Sequence, residues 1–403
     1  ETRALIRLDS GGTITDDEIR VLHQRTEGWP VALRLARLAT ARTSSKARIV
    51  DRLPEDSHSV RTYLIQEVLA GQPAEIQEYL LRTAFLERFC AELCEVVMPE
   101  VSAGISGKDF VNHINQANLF LIPLDVSKDW FRFHHLFQSM LQDLALTRLG
   151  KEEIRDVLTR ASGWFEEHEF IGDAIRHALS AGKANEAADV ISRHRTMIMN
   201  HERWHQLGIW LRLLPPQIVA SRPEFQLLKA RIFRTTGQNV ELVQTLDAAE
   251  SLLDAAMIDD GIKKELYGSL ASMRCYQFYA QSDGEAAIRA ARQALELLPP
   301  NDLAERGFAM ILLGAALQMT GDVKGAIDNI YSAISEASTQ DEDRPTYMTR
   351  LLGALCYVYW MDADLKELDL VARDTKRLGM RSDLWETLSV ALHFTASCHY
   401  HQN

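Results

Sequence analysis

Residues 130–141, with the sequence WFRFHHLFQSML, constrain the fold of this chain more than any other stretch. A short aromatic run ends in two adjacent histidines, and the residues after them have the apolar spacing of an amphipathic helix. A second apolar run, residues 119–125, comes before it, across the polar turn at 127–129. The pattern predicts a β-hairpin that leads directly into a helix, with strand confined almost wholly to residues 118–134.

An isolated hairpin is marginally stable, so this one must pack on neighbouring helices. Apolar residues at helical spacing predict these neighbouring helices. One stripe contains Ile76, Tyr79 and Leu80, and another runs over residues 86–97. Several short helices around one hairpin make residues 57–145 a predicted winged-helix domain. Before it, residues 1–56 contain short helical segments and a polar connector.

Residues 146–403 contain no further strand pattern, and helical segments are joined there by short turns. The turns fall at residues 236–238, 282–284, 320–322 and 361–363, with small residues before them. Paired helices repeating at about 35–45 residues are typical of a tetratricopeptide-like α-solenoid. The predicted fold is therefore mainly α, a winged-helix domain with one β-hairpin followed by this solenoid. In the first helix pair we expect these residues to be buried: Trp164, Ala174, Ile175, Ala178 and Leu179.

The composition limits the function classes. The net charge of −12 over 403 residues provides no basic surface for nucleic acid, and no apolar run is long enough for a membrane span. Five scattered cysteines, an odd number, indicate reduced thiols in a cytoplasmic protein. The chain starts at Glu1 and stops at Asn403 within an unfinished repeat, so we expect a central fragment of a larger protein.

Four motifs then connect the chain to a known family. They are residues 26–33 (TEGWPVAL), 63–69 (YLIQEVL), 130–137 (WFRFHHLF) and 174–179 (AIRHAL), in that order. With them, nearly the whole chain resembles the MalT-like, ATP-dependent LuxR-type transcriptional regulators, which belong to the signal-transducing NTPases with numerous domains. The resemblance implies a helical lid remnant and connector at 1–56, the winged helix at 57–145 and a sensor superhelix at 146–403.

The sequence departs from the family in two ways, and both limit the activities that we expect of the isolated chain. It has no Gly-x-x-x-x-Gly-Lys-Ser/Thr loop and no terminal basic helix-turn-helix. We therefore expect no ATP hydrolysis, no tight nucleotide binding and no DNA contact by the isolated chain. For the full-length protein, the resemblance implies ATP and ADP as ligands, a small-molecule inducer or regulatory protein as effector, and self-association in the active state. DNA would be bound only through a missing C-terminal domain.

The resemblance also assigns nucleotide contacts. Pro30 would pack on the adenine of the bound nucleotide, and His134 would approach the β-phosphate of ADP in the resting state. His135 stands where relatives often carry aspartate, so either imidazole could face the phosphate. From the residues alone, the favoured interpretations are a helix-turn-helix corner for Pro30 and a capping or core histidine for His134.

Aromatic side chains before the solenoid turns are candidates for an inducer or partner groove, with packing between repeats as the alternative. They are Tyr276, Tyr279, Tyr357 and Trp360. No catalytic nucleophile with a base stands out, and no metal site is predicted, because Cys90 and Cys94 fit a core and residues 398–401 lack partner carboxylates. The competing function is a tetratricopeptide-like adaptor with no nucleotide role.

Overall fold

A computed structural model describes residues 69–98, 104–117, 119–127, 129–201, 203–337, 344–381 and 384–402. Pro30, the predicted lid segment 1–56 and most of the motif at 63–69 lie outside these residues. The chain divides into two compact units, residues 1–183 and 184–403. The domain boundaries at residues 56 and 145 stay predictions.

The described part of the first unit is helical apart from one hairpin. Its strands pair antiparallel, with Ile122 opposite Arg132, so strand falls within residues 118–134 as predicted. The elements are α1 (Ala74–Thr83), α2 (Ala91–Val96), α3 (Gly107–Gln116), β1 (Leu121–Pro123), β2 (Phe131–Phe133), α4 (His135–Arg148), α5 (Lys151–Glu167) and α6 (Ile171–Ser180).

One backbone segment outside the hairpin joins its edge. The amide of Phe89 donates to the carbonyl of Phe131 at 2.8 Å, and the Phe131 amide returns a bond of 2.9 Å. Cys90 is consequently extended and α2 begins only at Ala91, so the helix is shorter than the apolar stripe over 86–97 predicted. The buried ring of Phe89 packs beside that of Phe133, with the ring centroids 4.7 Å apart.

The helix pair α5 and α6 packs as the sequence predicted. Ala174, Ile175 and Ala178 are fully or almost fully buried, and Trp164 is buried beside them. Leu179 is only half-buried because it lies near the end of α6. The hydroxyl of Ser162 on α5 donates to the carbonyl of Ala174 at 2.8 Å, which joins the two helices in the interior.

The second unit is helical throughout its described residues and consists largely of successive antiparallel pairs. Its helices are α7 (Ala184–Asn200), α8 (Trp204–Leu213), α9 (Pro216–Ser221), α10 (Pro223–Thr235), α11 (Asn239–Ala255), α12 (Asp260–Ala280), α13 (Gly284–Leu297), α14 (Leu303–Met319), α15 (Val323–Ala337), α16 (Arg344–Met361), α17 (Leu365–Arg381) and α18 (Trp385–Gln402).

The turns inside the pairs repeat one backbone geometry. Each contains a residue in the left-handed region, at φ of 72°, 62°, 89° and 59° for Gly237, Ser282, Gly321 and Ala363. In the last three turns the next residue is an aspartate, which caps the second helix of the pair. The carboxylates accept from the amides of Ala286, Gly325 and Glu367 at 2.9, 2.9 and 3.2 Å. This shared turn is the structural basis of the repeat.

Small residues permit close approach between helices of the superhelix, as expected. A Cβ placed on Gly268 of α12 would lie 2.9 Å from the backbone nitrogen of Leu298. One on Gly307 of α14 would lie 2.5 Å from the Cδ of Arg350. Glycine at these two positions therefore sets the spacing between neighbouring helices.

Candidate functional site

The junction between β2 and α4 holds the two histidines singled out in the sequence. His134 is buried and forms the N-cap of α4, with its backbone extended at φ −60° and ψ 134°. Its amide donates to the carbonyl of Phe120 at 2.8 Å, and its Nδ1 accepts from the amide of Leu136 at 3.4 Å. An accepting Nδ1 places the proton of the neutral ring on Nε2.

His135 is the first residue of α4 and is half-buried. Its ring lies against that of His134, with the centroids 4.6 Å apart and the planes 26° apart. Both imidazoles therefore lie at the N-terminus of a 14-residue helix, the end that carries partial positive charge from the backbone. We call His134, His135 and this helix end the junction site.

Two glutamines fix the direction of α4. The side-chain amide of Gln138 donates to the carbonyls of Ala84 and Leu86, both at 3.0 Å, and that of Gln142 donates to Ala84 at 2.9 Å. The carbonyl of Ala84, the C-cap of α1, is one that the helix itself leaves unpaired, and that of Leu86 lies in the segment just after it. The imidazoles are thus held on a helix anchored to the domain rather than on a mobile loop.

A cluster of aromatic and charged side chains connects the hairpin to the next helix pair. The guanidinium of Arg88 lies 4.5 Å from the ring of Trp130 and 4.6 Å from that of Phe170. It also donates to the carboxylate of Asp173 at 2.8 Å, and Arg176 donates to the other oxygen at 2.7 Å. Sequence reasoning missed this cluster, because its members come from three segments that are distant in sequence.

Among the described residues of the first unit, His177 is the other buried histidine. Its Nδ1 donates to the carbonyl of Asp173 at 2.7 Å, and its ring packs on Phe165, with centroids 4.9 Å apart. Burial lowers the pKa of His177 below its usual value of 6.5. His177 is therefore a core histidine.

The second unit contains a cavity of about 290 Å³ lined by the first helices of successive pairs. Three of the four predicted groove residues, Tyr276, Tyr279 and Tyr357, line it. Trp360 is half-buried and packs instead on Phe394, with centroids 6.2 Å apart. We call this space the superhelix cavity.

Sequence reasoning did not find the remaining polar and aromatic lining of the superhelix cavity. It includes Arg231 and Arg234 on α10, Arg350 on α16, Phe308 on α14 and Trp204 on α8, together with three threonines. Arg231 and Arg234 are three residues apart and so share a helix face, but the sequence does not show which face points inward.

Carboxylates lie on the other side of Arg231. Arg231 forms an ion pair with Glu305. Glu305 and Asp302 line an adjoining space of about 30 Å³, not the superhelix cavity. Asp302 is buried, which raises the pKa of its carboxyl to about 6 although Arg231, Arg195 and Arg350 act in the opposite direction.

Four of the five cysteines are packing groups, whereas Cys90 is half-buried at the start of α2. Cys94, Cys275, Cys356 and Cys398 are buried, and burial raises the pKa of all four thiols. No helix in the described ranges has both the length and the apolar character needed to cross a membrane.

Comparison with known proteins shows which domain the first unit resembles. The sequence model of the MalT winged helix domain matches residues 65–153. The chain is 28% identical over 298 residues to the HTH-type transcriptional regulator MalT of Cronobacter sakazakii, covering 73% of this chain and 32% of that protein. It is 29% identical over 267 residues to the serine/threonine-protein kinase PknK of Mycobacterium tuberculosis H37Rv, covering 66% of this chain and 24% of the kinase.

A solved structure supports the fold of the chain. A STAND protein (signal transduction ATPase with numerous domains) from Pyrococcus horikoshii, with a tetratricopeptide repeat sensor, superposes with a TM-score of 0.58 at 12% identity. The match covers all of this chain and 57% of that one. The chain spans about a quarter to a third of the length of its curated relatives. The chain therefore resembles MalT: residues 65–153 match its winged helix domain, and the helices after them share the fold of the solved structure.

Proposed function

We propose that this chain is the regulatory and sensor portion of a nucleotide-switched bacterial transcriptional activator. The winged helix holds the ADP-bound resting state, and the superhelix binds an inducer or a regulatory protein. The observation that carries the proposal is the MalT winged helix match at residues 65–153, which contains the junction site. The chain itself performs no catalytic step.

The geometry of the junction site supports a phosphate contact. A neutral His134 with Nδ1 engaged at the helix cap has its proton on Nε2, so that atom is the donor toward an anion. The N-terminus of α4 adds backbone dipoles that favour negative charge. His135, stacked on His134 and more exposed, is the second candidate donor.

The two curated relatives have different activities by name, although both resemble this chain. One is named as a transcriptional regulator and the other as a protein kinase, yet the matches cover 73% and 66% of this chain. A segment shared by proteins with different outputs is better suited to sensing and switching than to the output itself. The transcriptional output proposed here rests on the likeness to MalT.

In the proposed switch, ADP holds the winged helix and the lid, with Pro30 against the adenine, on an NTPase core. An effector bound by the superhelix favours the open ATP form, which self-associates and presents a DNA-binding domain. Such coupling is reciprocal, so the effector must weaken ADP binding by the same factor as ADP weakens effector binding.

The test uses His134→Asn in the full-length protein. Asparagine is a good N-cap, so this variant keeps the helix start while removing the imidazole donor. We expect ADP to bind about ten- to a hundredfold more weakly, the cost of one hydrogen bond to a charged phosphate, with ATP affected less. Isothermal titration calorimetry measures both affinities, and basal transcription should rise.

The controls separate capping from nucleotide contact. His134→Ala removes both roles, and His135→Ala tests the second imidazole. If His134→Asn has unchanged ADP affinity and His134→Ala has a lower melting temperature, His134 caps the helix and makes no contact with the nucleotide. If the parent protein binds neither ADP nor ATP, the adaptor function replaces the switch.

A further inference from the structure

We propose that the C-terminal half of α7 is a releasable strap that closes one side of the superhelix cavity. The strap consists of residues 192–200, and α7 itself begins at Ala184, where the second compact unit starts. The use of the strap in switching rests on the proposed function, whereas its attachment and release are properties of the second unit alone.

The strap is bonded to three successive helix pairs. The hydroxyl of Ser192 donates to the carboxylate of Glu224, at the start of α10, at 2.8 Å. Arg195 forms an ion pair with Glu265 on α12, and Asn200 is bonded to the start of α14. In a solenoid each pair touches mainly its neighbours, so a segment joined to three pairs fixes the rotations between them.

Asn200 clamps the end of the strap to the superhelix. Its side-chain amide donates to the carbonyl of Asn301 at 2.8 Å, and its Oδ1 accepts from the amide of Ala304 at 2.9 Å. The Ala304 amide lies in the first turn of α14, where the helix itself leaves amides unpaired. A residue 104 positions earlier therefore caps α14.

The strap is attached mainly by polar bonds, whereas the helix pairs are held by apolar cores. Three apolar clusters of the second unit draw their residues from α10 to α18, and none of these three contains a residue of α7. Polar contacts of this kind, like those between domains, permit relative motion. The bonds of the strap can therefore open while the cores of the pairs stay intact.

Unfilled space beneath the strap also lowers the cost of its release. Its buried apolar residues are Ile198 and Met199. Met199 lines both the superhelix cavity of about 290 Å³ and the adjoining space of about 30 Å³. A side chain beside a void makes fewer dispersion contacts than one in a filled core, so less is lost when it moves away.

Release of the strap would enlarge the superhelix cavity. Met199 and Trp204, which follows the strap on α8, form part of its wall. With the strap attached, the volume of about 290 Å³ is at the lower end of the range for small-molecule sites, roughly 300–1,000 Å³, and too small for a protein segment. Release opens the inner side of α10, α12 and α14, which gives the proposed sensor a way to admit a regulatory protein.

Hydrogen exchange measured by mass spectrometry on the 403-residue chain tests the strap. We expect amides of residues 192–200 to be at least about tenfold less protected than those of α12 and α16, because the strap opens locally. Their exchange should respond little to low concentrations of urea, because local opening exposes little surface.

Variants identify the bonds that hold the strap. Asn200→Ala and Arg195→Gln should each speed exchange in the strap about tenfold further, the effect of one or two lost hydrogen bonds, and leave α12 and α16 unchanged. The matched controls should leave the strap unchanged. They are Asn329→Ala, an exposed residue that donates to a carbonyl of its own helix, and Arg377→Gln, which is 74% exposed on α17.

Two results would overturn the inference. One is exchange of the strap amides only through global unfolding, with the protection and urea dependence of α12. The other is an increase in exchange by the same factor in the strap, α12 and α16 of both variants; if one variant does not fold, the other decides. No nucleotide enters this experiment, so its outcome is separate from that of His134→Asn, which tests the nucleotide switch.

Discussion

Replacing Asp173 by asparagine should loosen the hairpin from the helix pair behind it. Asp173 accepts from Arg88 and Arg176, and Arg88 lies between the rings of Trp130 and Phe170. Asparagine keeps the size of the side chain but removes the charge, and its NH₂ group faces one of the two donors. The variant therefore leaves Arg88 partly buried without its carboxylate.

The expected cost follows from the exposure of the three side chains. Asp173 is 10% exposed and Arg88 31%, so this bond is partly shielded and is worth about 1.5–2 kcal/mol. Arg176 is 42% exposed, so its contact adds at most about 0.5 kcal/mol. We expect a loss of about 2 kcal/mol in local stability. This is equivalent to a roughly thirtyfold larger population of molecules in which the hairpin is open, and to correspondingly faster exchange.

Hydrogen exchange measured by mass spectrometry checks this locally. The reporters are peptides with the Phe89 and Phe131 amides, which bond to each other's carbonyls. The matched control is Glu152→Gln, which removes the same charge from a pair with Arg155 where the Glu is 82% exposed, and should cost almost nothing. Equal exchange in Asp173→Asn and Glu152→Gln would refute the reasoning.

Three further predictions concern buried positions and helix packing. Ile175→Ala empties a fully buried site on α6 and should cost about 2–5 kcal/mol in chemical denaturation; a change within error would show that the face was misassigned. Gly268→Ala should destabilise because its Cβ meets a backbone atom 2.9 Å away, whereas Gly163→Ala, an exposed helical site with open space, should stabilise by about 0.5–1 kcal/mol. Because the folded-state pKa of His177 is lowered, the unfolded chain takes up the proton first; stability should fall as pH drops below 6.5, and His177→Gln should flatten that fall in pH-dependent melting curves.

The hairpin and the repeats could be predicted because their signals are local. Alternating aromatics around a polar turn identify β1 and β2, and small residues beside turns identify the helix pairs. The bridge of Phe89 to Phe131 could not be predicted, because a single residue of pairing has no periodicity. Its presence also explains why α2 is shorter than its apolar stripe.

The superhelix cavity was predictable only in part. Tyr276, Tyr279 and Tyr357 lie on first helices of neighbouring pairs, and the sequence placed them on helices just before turns. Whether a given side chain points into the cavity depends on the rotation of each helix, which small residues such as Gly307 set through contacts distant in sequence. Arg234 and Arg350 were missed for this reason.

The lining of the superhelix cavity also has a mechanical consequence. In a stack of helix pairs each pair touches mainly its neighbours. The curvature and twist of the stack are therefore the sum of many small rotations between one pair and the next. The lining runs from Trp204 on α8 to Val390 on α18 and draws on every first helix between them. An occupant would therefore contact several successive helix pairs at once and would restrict the rotation of each pair against the next.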